Sequence, residues 1–325
     1  MPLLSEDFKP AFGMSNPHLQ TIYSSLFRKF PKIDFEVENF TLSDGDFLQA
    51  YWLKTNKRKT NTPLVILFHG LAGSYESPYI QGMMLTLCEA GFDTVLMHFR
   101  GCSGEQNLLP RSYHSGETGD AKEFITNIKS RFADSPLYAI GYSLGANMLL
   151  KLLGECEEKS LFKKAVAISP PMLLDVCANK MNNGFARYYQ HRLLKDLQSA
   201  LDKKYYKHDM QKKLSFTQDK IKTLNTFWKF DDAYTAPIHG FKSAKEYYDK
   251  CSSRAFLKSI ITQTLIIHSQ DDPFMTKEVI PNENELSKNV QINLTQYGGH
   301  VGFIGGSFFK PEYWLEKRVI DYLRE

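Results

Sequence analysis

Ser143, Asp272 and His300 are of the types, and in the order, that acyl-transfer chemistry needs. Ser143 lies in Gly141-Tyr142-Ser143-Leu144-Gly145, between a strand-like apolar run, Leu137 to Ile140, and a helix-like run that begins at Ala146. A serine at a sharp strand-to-helix turn is pushed out of the sheet, and small neighbours let the backbone pass close by. As a plain alcohol it is unreactive; it needs a base, which a carboxylate must in turn orient. The pentapeptide alone is a weak signal, so the rest of the chain has to supply those partners.

Of nine histidines, His300 is the strongest candidate base. It follows a strand directly, in Gln296-Tyr297-Gly298-Gly299-His300-Val301-Gly302, where glycines permit a tight turn. The carboxylate should follow a strand between serine and histidine, and Ile266-Ile267-His268-Ser269-Gln270-Asp271-Asp272-Pro273 supplies two. Asp272 is preferred because it stands three residues beyond the small residue that ends the strand, with Pro273 fixing the turn behind it. Asp271 stays open as the alternative, and otherwise serves as a helper or turn-former. A developing oxyanion needs aimed donors. The amide of Leu144, at a helix start, is one, and the amide of Leu71 in His69-Gly70-Leu71-Ala72-Gly73-Ser74 is the other. His69 is expected to hydrogen-bond its own loop. Cys102 lacks a base partner and is not expected to act as a nucleophile. No H-E-x-x-H pattern is present, and neither a metal nor an organic cofactor is expected.

These residues need elements to hold them. A hairpin is predicted over 33–54, with strands from Phe35 and from Phe47 to Trp52 around an Asp44-Gly45 turn. Continuous apolar runs at Leu64 to Phe68, Thr94 to Met97, Leu137 to Ile140, Lys164 to Ser169, Thr264 to Ile267 and Val290 to Leu294 predict strands covered on both faces. Helical patterns at Pro78 to Ala90, Gly119 to Phe132, Ala146 onward and Glu312 to Leu323 separate or follow them. Alternation of this kind predicts a mainly parallel sheet wound on both faces. Residues 171–262 break the rhythm: they are polar, aromatic and helical in pattern, and too many for a loop. We expect a core domain from 1–170 and 263–325, with 171–262 a helical cap inserted over the strand ends.

Composition narrows the classes. A chain of 325 residues with 42% hydrophobic and 13% aromatic residues can bury a large core. It has no 18-residue apolar run, so no membrane span is expected. Met1 to Asp7 lack a basic stretch followed by an apolar one, so no secretory signal is expected and the cytoplasm is the default address. Five scattered cysteines, an odd number without C-x-x-C spacing, fit reduced thiols. A net charge of +4 is too mild for nucleic-acid binding. Between Lys180 and Lys213 basic residues outnumber acidic ones about three to one. This reads as a solvated helical face or, alternatively, as an attractive surface for an anionic substrate or phospholipid interface.

Longer words then carry a resemblance. Asn16 to Thr21, Arg100 to Glu105, Tyr113 to Thr118, Phe230-Asp231-Asp232 with Ala236-Pro237 and His239-Gly240-Phe241, and Gly298 to Phe303 together span nearly the whole chain. In them the sequence resembles the α/β-hydrolase superfamily, and more closely its YheT-like branch, with bacterial hydrolases and eukaryotic ABHD-type lipases. The resemblance implies an α/β-hydrolase fold and a Ser-Asp-His triad at Ser143, Asp272 and His300. The eukaryotic members carry an N-terminal membrane anchor for which this chain shows no counterpart, so membrane attachment is not implied.

The remaining words have their own readings. Arg100 should pair a carboxylate such as Glu117 or Asp120, and Asn16 to Thr21 and Phe230 to Phe241 should pack the N-terminal arm and cap on the sheet. Met181, Phe185, Tyr188 and Tyr189 are either cap core or the wall of an apolar acyl pocket. The expected function is hydrolysis of a small-molecule ester with an apolar acyl group. A thioesterase, amidase or acyltransferase using the same triad, or a non-catalytic binding protein on this fold, remain alternatives. Oligomeric state is not legible.

Overall fold

The computed structural model describes residues 3–4, 8–156 and 162–325. Of the opening segment read for a leader, Met1, Pro2 and Ser5 to Asp7 lie outside these. In chain order the elements are β1 (Leu3–Leu4), α1 (Pro17–Phe27), β2 (Glu36–Thr41), β3 (Phe47–Leu53), β4 (Leu64–Phe68), α2 (Pro78–Glu89), β5 (Asp93–Met97), α3 (Gly119–Arg131), β6 (Leu137–Tyr142), α4 (Leu144–Cys156) and β7 (Lys164–Ile168). A helical stretch follows: α5 (Leu174–Lys180), α6 (Ala186–Lys207), the short α7 (Met210–Lys213), α8 (Phe227–Phe230) and α9 (Ala236–Ile238), and α10 (Ala244–Cys251). β8 (Gln263–Ser269), β9 (Val290–Thr295), β10 (Ile304–Gly306), β11 (Pro311–Tyr313) and α11 (Trp314–Arg324) close the chain.

Nine strands form one sheet in the order β1-β9-β8-β7-β6-β4-β5-β3-β2. All neighbours are parallel except β5-β3 and β3-β2, the predicted hairpin, whose turn holds Gly45 at φ +83°. The central strands β4, β5 and β6 are buried along their whole length, which is why their sequences run apolar without alternation. Within β4 the two-residue period divides the core. Leu64, Ile66 and Phe68 pack with α3 and α4, whereas Val65 and Leu67 pack with α2 and α11. The order β6-β4-β5 places a topological switch between β4 and β6, so the loops after these strands diverge and leave a crevice at their carboxyl ends.

Between β7 and β8 every regular element is helical, and Leu194, Leu201, Met210, Leu214, Phe230 and Tyr234 form a core of their own there. β1, α1 and the β10-β11 ribbon were not anticipated. Asn16-Pro17 starts α1, the Asn16 side chain accepting from the amides of His18 and Leu19 at 2.9 and 3.3 Å, with Pro17 in the first turn, where its missing N–H costs nothing. Pro311 to Tyr313 pair with Ile304 to Gly306 as a small antiparallel ribbon, so the final helix begins at Trp314 rather than Glu312. Among the described residues no helix is long and apolar enough to cross a membrane.

Candidate active site

The turn between β6 and α4 holds Ser143 at φ +49°, in the left-handed region that non-glycine residues rarely occupy. Glycines on both sides are required by contact rather than by torsion. A Cβ on Gly141 would lie 2.6 Å from the Gly145 carbonyl oxygen, and one on Gly145 would lie 2.5 Å from that of His69. The Ser143 amide is held by the Ile168 carbonyl of β7 at 2.8 Å. The hydroxyl is thereby aimed out of the sheet edge into the crevice.

There it meets the other two nominated side chains. His300 Nε2 lies 2.9 Å from Ser143 Oγ, and His300 Nδ1 lies 2.7 Å from Asp272 Oδ2. With Nδ1–H donating to the carboxylate, Nε2 is left to accept the serine proton. Asp272 is fixed by the Phe274 amide, which donates to Oδ1 at 2.8 Å, and the Phe274 ring stacks on the imidazole at 4.1 Å. Asp271 takes a different place: its Oδ1 accepts from the Gly299 amide at 2.9 Å, which ties the turn after β8 to the histidine loop. Burial raises its carboxyl pKa.

α1 positions the histidine loop from the other side. Thr21 Oγ1 accepts from the His300 amide at 2.9 Å, and Gln20 accepts from the Ile304 amide while donating to the Met14 and Ile304 carbonyls. A Cβ on Gly302 would meet the Gln20 carbonyl at 2.3 Å, so α1 lies directly on this backbone. The packing role expected of Asn16 to Thr21 is thus a specific one, the seating of His300.

The loop after β4 brings Leu71 to the same crevice. Tyr79 Oη accepts from the Gly70 amide at 3.0 Å and Tyr113 Oη from the Ala72 amide at 2.9 Å. Between these tethered amides, that of Leu71 has no partner among the described residues. The Leu144 amide, in the first turn of α4, is likewise unused. Leu71, Ser143, Leu144 and His300 line one cavity of about 420 Å³. The tyrosines were invisible to sequence reasoning because their hydroxyls reach the loop from other parts of the chain.

His69 holds the loop, as expected. Its Nδ1 donates to the Gly70 carbonyl at 2.7 Å and its Nε2 accepts from the Phe99 amide at 3.1 Å. Burial, with His98 adding to it, depresses its pKa to about 3, so it is neutral. Burial pushes the Cys102 thiol up to about 12 although it borders the cavity, which fits no nucleophilic role. Arg100 grips Asp120 with two bonds of 2.6 and 2.7 Å and also holds Asp46 and Asp44. Of the two partners anticipated, Asp120 is found; Glu117 pairs with Arg111 instead, at 3.1 Å.

The helical stretch lines the cavity with Leu174, Cys177, Met181, Leu197, Phe227 and Phe230. Of the four apolar residues singled out there, Met181 lines the cavity and Tyr189 is buried, but Phe185 and Tyr188 are more than half exposed and are neither core nor wall. The basic segment also divides. Most of its cations face solvent, but Lys204 is buried, its Nζ donating to Asn107 Oδ1 and the Leu109 carbonyl at 2.8 Å each and to the Arg111 carbonyl at 3.2 Å. Burial lowers its pKa to about 8. Lys204, with Tyr234 on Ser112 and Tyr247 on the Ser115 amide, ties the helices to the loop after β5.

One cluster has ligand types suited to a metal: His114, Glu117 and His239, whose donor atoms lie within 4.8 Å of one another. Their hydrogen bonds already engage them. His114 Nδ1 accepts from Gly116, which leaves its proton on Nε2 facing Glu117, and both His239 nitrogens lie on backbone carbonyls, of Thr235 and Ser112.

Comparison with known proteins agrees with this fold. Residues 63–307 match the alpha/beta hydrolase fold family. The chain is 41% identical to YheT of Escherichia coli (strain K12), provisionally named an esterase, over 98% of this chain and 93% of that one. It is 26% identical to the phospholipase ABHD3 of Homo sapiens over 97% of this chain and 78% of that one. The solved structure of the Pyrococcus furiosus esterase Pf2001 superposes with a TM-score of 0.59 at 17% identity, covering 90% of this chain and 92% of that one, a likeness of fold. The chain therefore belongs to the α/β-hydrolase family, in its YheT-like branch.

Proposed function

We propose that this protein hydrolyses carboxylic esters through a Ser143-His300-Asp272 triad and an acyl-enzyme. The observation that carries the reading is the unbroken relay from Ser143 Oγ to His300 Nε2 (2.9 Å) and from His300 Nδ1 to Asp272 Oδ2 (2.7 Å). The esterase and phospholipase names of its relatives agree with it.

Ser143 Oγ bonds to the ester carbonyl carbon as its proton passes to His300 Nε2. Asp272 holds the imidazole in the required tautomer and stabilises the imidazolium without taking the proton. The carbonyl electron pair moves onto oxygen, where the Leu71 and Leu144 amides receive it; a donor of this kind is worth about 3 kcal/mol in the transition state. The carbon–alkoxy bond then breaks, and the leaving alcohol takes the proton from Nε2. Water repeats the sequence: it gives a proton to His300, attacks the acyl carbon and releases the acid and Ser143. Residues 171–262 act as a cap over the core, and its apolar lining takes the acyl chain.

Ser143→Ala is expected to abolish hydrolysis of a short p-nitrophenyl ester while leaving the melting temperature near that of the unmodified protein. Turnover by the variant at the unmodified rate would sink the reading.

A further inference from the structure

Several large apolar side chains stand in water around α1, at its two ends and along its Leu19–Leu26 face. Phe27 is 57% exposed, and beside it the ribbon loop presents Phe308 and Phe309, the latter 91% exposed; Phe27 and Phe308 are 5.7 Å apart and Phe308 and Phe309 5.4 Å. Leu19 and Leu26, seven residues apart and so on one face of α1, are exposed as well. At the other end of the helix, Phe185 and Tyr188 stand 54% and 55% exposed, and Phe185 packs on His18 of α1 at 4.5 Å. Single exposed apolar residues are ordinary, but a run of them along one helix, with an aromatic cluster at each end, marks a surface that meets something.

Charge says what it meets. Beside Phe185, α6 opens with Arg187, Arg192 and Lys195, and no acid occurs between Lys180 and Asp196. Lys29, Lys32 and Lys310 flank the Phe27 and Phe309 end, against Asp34 and Glu312. Aromatic side chains inside a rim of cations match a layer whose surface is anionic and whose interior is apolar. The position fits too. A chain of ring contacts runs from Phe185 to Tyr189 (5.6 Å), Phe274 (4.9 Å) and the His300 imidazole (4.1 Å), so one end of the patch borders the wall of the candidate site.

We infer that this face seats the protein reversibly on an anionic lipid surface, with Phe27, Phe308, Phe309, Phe185 and Tyr188 entering the headgroup boundary and the basic rim pairing with phosphates. The inference concerns binding and stands apart from the ester chemistry, because its readout needs no turnover.

Co-sedimentation of the full chain with vesicles tests it. Binding is expected to phosphatidylcholine vesicles containing phosphatidylglycerol, to be weak with phosphatidylcholine alone, and to fall as salt rises. Phe27→Ser combined with Phe309→Ser should weaken partitioning by about tenfold or more, since each ring forfeits its apolar burial. Arg187→Glu with Arg192→Glu should remove the preference for phosphatidylglycerol. Hydrolysis of a soluble short ester should be unaltered in both. Absence of vesicle binding, or unchanged binding by both variants, would overturn the inference. So would a serine variant that binds vesicles normally but converts a dimer into a monomer, since the face would then be a contact between copies of this chain.

Discussion

The loops at the strand ends and the helical stretch over them are held by different means. Around Ser143 the backbone itself is locked: a serine at φ +49°, glycines on which a Cβ would lie within 2.6 Å of neighbouring backbone, and carbonyl-held amides fix the turn to the sheet. The helices from Leu174 to Cys251 instead reach the sheet-end loops through side-chain ties, including Lys204 on Asn107, Tyr234 on Ser112 and Tyr247 on Ser115. Groups that must meet a reacting atom need tolerances of a fraction of an ångström, which rigid elements give. In the proposed role of cap the helices need only supply shape, and side-chain ties suffice for that.

That contrast can be broken most severely at Gly145. Gly145→Ala places a methyl 2.5 to 2.8 Å from the backbone of Phe68 and His69, so either α4 or β4 must shift. A loss of about 3 kcal/mol in urea unfolding is expected, together with a fall in kcat of about a hundredfold as the Leu144 amide moves. Lys204→Met tests the roof. It leaves Asn107 Oδ1 without its donor and the Leu109 and Arg111 carbonyls with Asn107 Nδ2 alone, and a loss of about 1–3 kcal/mol is expected. Its kinetic effect should fall on KM for long-chain esters more than on kcat, and an equal fall in kcat for all chain lengths would show that the roof is not separable from the chemistry.

A third test separates the regions by pH. Just after β5, burial depresses the pKa of His98 to about 4. Between about 4 and 6.5 the unfolded chain binds a proton that folded His98 refuses, so stability falls with acid by about 1.4 kcal/mol per pH unit for that group. In the helices, burial raises Asp231 to about 6, where it accepts from Thr235 and Tyr248. The folded chain there holds a proton the unfolded chain has lost, so its contribution is present at low pH and lost as pH rises towards 6. Urea midpoints from pH 4 to 6 should therefore show a shallower acid decline in His98→Gln and a steeper one in Asp231→Asn.

What the sequence made legible follows the same division. Ser143, Asp272 and His300 each stand just after a strand whose apolar run is unmistakable, so their common end of the sheet could be read from local pattern. The supports could not. Thr21 reaches the His300 amide across 279 positions, and Tyr113 reaches Ala72 across 41. No local pattern records which distant hydroxyl ends beside which amide. The Asp44-Gly45 turn announced a hairpin, but not that Asp44 and Asp46 would lie on Arg100. Phe185 and Tyr188 fit a helical apolar stripe, yet that stripe faces outward. Periodicity reports that a face is apolar and is silent on whether anything covers it.

The most direct test of the central proposal is the site of covalent labelling. Folded protein treated with a fluorophosphonate probe, digested and read by mass spectrometry is expected to carry one adduct, on Ser143, and the Ser143→Ala variant none. An adduct on another residue, or folded protein that takes up no label, would contradict the account.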